Sequence, residues 1–109
     1  MIYPEFLKEK DYIGITAPSD GTIEEIDIYR LNNAIKKFEE LNYKIKETDD
    51  VRTSIKGKSA PSKVQAKELE DLFKDEKVKC IICASGGDFL LEMLSEVNLD
   101  FIKNNPKWL

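Results

Sequence analysis

The chain has no histidine among its 109 residues. Neither a Ser-His-Asp nor a Cys-His arrangement can be completed within it, so a hydrolase of either type would need residues from elsewhere. Cysteine is scarce too: Cys80 and Cys83 are the only two. They fall inside a predicted strand, where positions three apart point to opposite faces, so a disulfide between them is not expected. Redox use of such a pair needs a helix N-terminus to lower a thiol pKa, and this pair precedes the turn. Burial as small hydrophobic side chains is the expectation. Two thiols without histidine are also too few for zinc, and no metal site is expected. Basic residues are outnumbered, 17 to 21, for a formal net charge of −4; this leaves no footprint for nucleic acid. No apolar run approaches the length of a membrane-spanning helix. The first ten residues lack the apolar core of a signal peptide, so a cytoplasmic setting away from membranes is expected. The five glycines form neither Gly-x-Gly-x-x-Gly nor Gly-Lys-Ser/Thr, and no cofactor is expected.

What is present fits one soluble globular domain: 41% hydrophobic and 35% charged residues, enough for a single modest core. The chain is organised around Val78 to Val97. Cys80 to Ala84 is a short apolar run suited to a buried strand. Gly86 and Gly87 follow at once. Phe89, Leu90, Met93, Leu94 and Val97 then repeat at helical spacing. Such a turn brings backbone N–H groups to the C-terminal edge of a sheet at a helix N-terminus, where ligands and developing negative charge are commonly held. The same two glycines also read as a tight strand-to-helix connection and nothing more.

Upstream, Tyr12 to Ala17 reads as the first strand, closed by the turn cluster Pro18-Ser19-Asp20-Gly21. Gly14 inside that strand points to close packing of another backbone. Thr22 with Glu25 reads as a capping box. The helix it opens places Ile23, Ile26, Leu31, Ala34, Ile35, Phe38 and Leu41 on a stripe expected to pack on a sheet. Tyr43 to Thr48 reads as a second strand. Asp49 to Ala60 has no periodicity and is the longest loop, either a solvated connection or a substrate-facing segment. Ser62 with Gln65 is a second capping box, opening a helix to about Lys74 that buries Val64, Ala66, Leu69, Leu72 and Phe73. After the third helix, Asp100 to Lys103 makes one more helical turn and Asn104-Asn105-Pro106 stops it. Lys107-Trp108-Leu109 opens another strand. A bulky apolar pair needs cover, so a continuing polypeptide is expected beyond it. Alternation with short links predicts an α/β, three-layer fold with a mainly parallel sheet, flavodoxin-like or Rossmann-like.

These pieces, in this order, resemble the N-terminal domain of the LD-carboxypeptidase family of serine peptidases, which includes the microcin-immunity peptidases. The resemblance rests on Ile15-Thr16-Ala17-Pro18-Ser19-Asp20-Gly21, on the helix from Arg30-Leu31 to Tyr43, and on Ala60-Pro61-Ser62 through Phe73-Lys74-Asp75. It continues through Ser85-Gly86-Gly87-Asp88 and Phe101 to Leu109. It implies a two-domain enzyme that hydrolyses murein tetrapeptide or a peptidyl-nucleotide antibiotic with a Ser-Glu-His triad. None of that triad is present here: the nucleophile turn would lie just beyond Leu109, and Glu and His would come from a C-terminal catalytic domain. Ser19, Ser54, Ser59 and Ser85 are not its nucleophile. The implied contribution of this chain is an oxyanion-hole N–H from Gly86 or Gly87, worth about 3–4 kcal/mol in a barrier, with Ser85 and Asp88 on the substrate side of the turn; Asp88 reads equally as the cap of the helix that follows. Many relatives have Arg where Ser85 stands, and this form is similar to the microcin-immunity branch. The partners implied are the C-terminal domain and a peptide substrate; the apolar chain end also admits a homodimer. The competing reading is a stand-alone flavodoxin-like ligand-binding or regulatory module.

Overall fold

A computed structural model of the chain describes residues 4, 6–84, 93 and 95–109. Three parallel strands form the sheet: β1 (Tyr12–Thr16), β2 (Lys44–Glu47) and β3 (Val78–Cys83), in the order β2-β1-β3. The alternation read from the sequence is therefore realised as a parallel α/β sheet. Next to β3, Trp108 makes a parallel bridge with Cys80, and the Ile81 N–H donates to the Trp108 carbonyl at 2.7 Å. That places the expected extra strand on the far side of β3. Phe6 stacks on Trp108, ring centroids 6.1 Å apart.

The pleat of β1 sorts the two helix layers. Ile15 packs with Ala17 and Val51, against which Leu31 and Ile35 of α1 (Glu25–Glu40) lie. Gly14, one residue back, faces the opposite layer, where α2 (Ser62–Lys74) sets Leu72 against it. Ala66, Leu69, Leu72 and Phe73 of α2 form the larger core with Val78, Ile81 and Met93. The short α3 (Leu99–Asn104) is capped by Asn98, whose side-chain oxygen accepts from the Phe101 N–H at 3.1 Å. Its Phe101 and Ile102 pack on the same core. Lys107 closes the other end of this layer. Its ammonium donates to the Leu72 carbonyl at 2.6 Å and to that of Asp75, meeting carbonyls that the end of α2 leaves without helical partners. The helix expected between Asp88 and Val97 lies mostly outside the described residues.

Several local expectations are corrected. Helix α1 starts at Glu25 behind Glu24, with no side-chain cap bond. Thr22 is buried, and its N–H is committed to the Val51 carbonyl at 2.6 Å, so it belongs to the preceding turn rather than to a capping box. Pro61, not Ser62, occupies the cap of α2, and its carbonyl accepts from the Val64 and Gln65 N–H groups. The Gln65 side chain is drawn inward instead of back to the helix start. The α1 stripe is only half used: Leu31 and Ile35 pack, while Ile23, Ile26, Ala34 and Leu41 are exposed. Val64 is exposed as well. Cys80 is half-buried and Cys83 exposed, both free; among the described residues, the Trp108 bridge is what borders β3 on its far side. The close neighbour of Gly14 is the Leu72 side chain rather than a backbone.

A Cβ at Gly14 would lie 2.9 Å from one Leu72 methyl and 3.2 Å from a Val78 methyl. Alanine there should cost little, since the Leu72 end can turn aside. Valine should cost about 1–3 kcal/mol by overpacking. Urea unfolding of Gly14→Ala and Gly14→Val checks the order; equal stability of Gly14→Val and the parent would refute the packing.

Candidate functional site

The C-terminal edge of the sheet is the candidate site. The ends of β1 and β3 meet there: the Ala84 N–H donates to the Thr16 carbonyl at 2.8 Å, and the Thr48 N–H after β2 donates to Ile15 at 2.9 Å. Ser85, Gly86, Gly87 and Asp88, singled out from the sequence, come directly after Ala84 but lie outside the described residues. What the structure describes is the edge as far as Ala84. A cleft of about 670 Å³ runs from Ile82, Cys83 and Ala84 past Asp20, Gly21 and Ser54 to the first turns of α1, including Asp27 and Arg30. Burial pushes the thiol of the half-buried Cys80 up, away from a ready nucleophile at neutral pH.

The turn after β1 forms one side of this cleft, and the 48–60 segment holds it. This segment is not a solvated loop. Val51, Ser59 and Ala60 are buried. Ser59 donates its hydroxyl to the Ala17 carbonyl at 2.7 Å and its N–H to that of Ser19 at 2.9 Å. Ser54 donates to Asp20 Oδ1 at 2.5 Å, and the Gly21 N–H reaches the same oxygen at 2.9 Å. Gly21 is required by close approach: a Cβ there would sit 1.8 Å from the Thr53 carbonyl oxygen. The segment reverses at Lys56-Gly57, both with positive φ, between the paired residues Ile55 and Lys58, as a two-residue hairpin demands. Arg52 fastens its start, with Nε on Glu47 at 2.7 Å and a terminal nitrogen on Asn32 at 2.8 Å. Gln65 completes the support from α2, donating to the Ser19 carbonyl at 2.6 Å and the Ser59 hydroxyl at 3.1 Å. Sequence reading assigned Gln65 to a helix cap; its place among apolar positions of an amphipathic helix was the signal that it is buried.

Behind the segment, Glu68 of α2 faces Asp50, Asp49 and Thr48. Burial first, then the hydrogen bond and charge of Asp50, raise its pKa from about 4.5 to about 8. Among the described residues, no group of three His, Cys, Asp or Glu is placed to hold a metal ion. No described helix is long and apolar enough to cross a membrane.

A parallel α/β domain with a cleft at the carboxyl edge of its strands belongs to the class that binds ligands at that edge. Residues 13–109 match the family described as the LD-carboxypeptidase N-terminal domain, and the chain belongs to it. It is similar to the probable murein peptide carboxypeptidase of Bacillus subtilis, at 24% identity over 104 residues, covering 95% of this chain and 31% of that protein. It is also similar in structure to an MccF-like protein from Bacillus anthracis, at 27% identity and a TM-score of 0.85, covering 98% of this chain and 32% of that one. The microcin C7 self-immunity protein MccF shares the fold, at 23% identity and a TM-score of 0.82, with 95% and 30% covered. The chain thus spans about a third of the length of these relatives, as the N-terminal domain of an LD-carboxypeptidase-like protein.

The carboxyl beside Asp50 has a consequence for stability. With a folded pKa above the unfolded value, the native state binds the extra proton between about pH 4.5 and 8. Stability should therefore fall as pH rises through that window, by about 1–2 kcal/mol once solvent screening is allowed for. Urea midpoints measured from pH 4.5 to 8.5 should decline, and Glu68→Gln should flatten that part of the decline. An unchanged slope in Glu68→Gln would show that this carboxyl is not its source.

Proposed function

We propose that this domain supplies the oxyanion-stabilising turn and one wall of the substrate cleft of a serine-type LD-carboxypeptidase. The observation that carries the reading is the cleft at the carboxyl edge of the sheet, which reaches Ala84, the residue before Ser85-Gly86-Gly87-Asp88. An N–H of Gly86 or Gly87 at that edge stabilises the oxyanion formed when a serine attacks an amide carbonyl. Donors held in place in advance need no reorganisation as charge develops. Ser85 and Asp88 flank the turn toward the substrate. The serine, glutamate and histidine of the triad come from the polypeptide beyond residue 109. The absence of histidine here supports that division of labour. The exposed Ile23, Ile26 and Tyr29, close to the cleft mouth, support a covering C-terminal catalytic domain as the partner. The substrate is a peptide: a murein peptide, as the name of the Bacillus subtilis relative reads, or a peptidyl-nucleotide conjugate, as the similarity to the MccF proteins favours.

The 109-residue chain alone should release no D-alanine from murein tetrapeptide and should not cleave aspartyl sulfamoyl adenosine, assayed by mass spectrometry. The full-length gene product should cleave one of them. In that product, Gly86→Pro or Gly87→Pro removes one backbone N–H. Whichever donates to the oxyanion should lower kcat about 100-fold or more while KM changes little. Both variants folded and at parental kcat would remove the oxyanion role from this turn.

A further inference from the structure

Gln65 is a polar side chain on the core face of α2, only 1% exposed. The direction of every hydrogen bond around it is determined. The carbonyls of Ala17 and Ser19 can only accept. The Ser59 hydroxyl already donates to Ala17, so it must accept from Gln65, and the Gln65 NH₂ must face both Ser59 and Ser19. This leaves the Gln65 Oε1 buried with no hydrogen-bond partner among the described residues. Leaving a buried acceptor unmet costs free energy, and an apolar residue of similar size would fill the same space without that cost. Stability alone does not account for a glutamine here; the backbone group it holds does.

We infer that Gln65 is a positioning residue for the substrate cleft: it fixes the orientation of the Ser19–Asp20 peptide plane. Only the link to substrate rests on the peptidase reading; the hold on the turn does not. The peptide is planar, so holding the Ser19 carbonyl with two donors, Gln65 Nε2 of α2 and the Ser59 N–H of the 48–60 segment, directs the Asp20 N–H the opposite way. Asp20 and Gly21 line the cleft. Releasing the plane would let it flip, presenting a carbonyl oxygen where an N–H now points. That change would alter the polar lining at Asp20 and Gly21 that a bound substrate meets.

The test uses three variants: Gln65→Leu, Gln65→Glu and, as a control for lost core packing alone, Phe73→Leu. In amide NMR spectra of the 109-residue chain, Gln65→Leu should shift the Asp20 and Gly21 resonances and speed exchange at the Ser59 N–H about tenfold or more. Gln65→Glu should behave like Gln65→Leu at neutral pH and return toward the parent on acidification, because a protonated carboxyl can again donate to Ser19. Phe73→Leu should lower the Tm without moving those amides. In the full-length product, at a temperature where all variants are folded, KM for the cleaved substrate should rise about fivefold or more in Gln65→Leu, with kcat within about twofold. Gln65→Leu with unshifted Asp20 and Gly21 amides, or shifts equal to those of Phe73→Leu, would overturn the assignment. So would shifted amides with an unchanged KM. If the full-length product cleaves neither substrate, the peptidase reading falls, and the amide shifts and acid recovery decide the role of Gln65 on the turn.

Discussion

A backbone carbonyl taken out of water must find a donor, and at the end of β1 two of them, Ala17 and Ser19, enter the interior beyond the reach of the sheet ladder. Much of the upper half of the molecule follows from how they are met. Ser59 supplies a hydroxyl to one and an N–H to the other, and Gln65 supplies its amide. Meeting them brings the 48–60 segment against the β1 turn closely enough that Gly21 has no room for a side chain. It also ties α2 to the turn through a polar bond in addition to apolar packing. The cleft wall is thus built from three stretches distant in sequence and held by hydrogen bonds of unambiguous direction.

Below this polar tier the molecule is an ordinary parallel α/β sandwich. One face of β1 gives Ile15 to the α1 layer. The other presents Gly14, and its missing side chain lets Leu72 and Val78 close on the strand. The division has a functional side. Rigid apolar packing sits in the α2 layer, whereas the α1 layer is thin, with large apolar side chains exposed near the cleft. A domain forming part of a larger catalytic unit would need such a face; relatives about three times as long as this chain are consistent with it.

Element order, parallel connectivity and the extent of α2 were legible because periodicity and turn residues are local signals. The match from Ala17-Pro18-Ser19 to the Gly86-Gly87 turn made the family legible as well. The capping boxes misled for a physical reason. Thr22 and Gln65 have side chains or N–H groups that could serve a helix start, but tertiary partners compete for them, and a buried carbonyl has no alternative in water. The segment from Asp49 to Ala60 read as a loop because its bonds are all long-range: nothing within it announces that Ser59 will meet Ala17, 42 residues away. The burial expected of Cys83 failed because cover for a strand comes from what packs beside it, not from the strand's own composition.

By itself, then, the sequence determined a parallel α/β domain without a histidine to complete a triad, since composition and short-range pattern suffice for both, and the order of its motifs carried the likeness to the LD-carboxypeptidase family. Which carbonyls needed donors, that Gln65 and Ser59 would supply them, that burial and Asp50 would raise the pKa of Glu68, and that half of the α1 stripe would remain uncovered were decided only by the tertiary structure. Each depends on which groups lose water when distant segments meet, and desolvation is a property of the packed chain rather than of any residue in it.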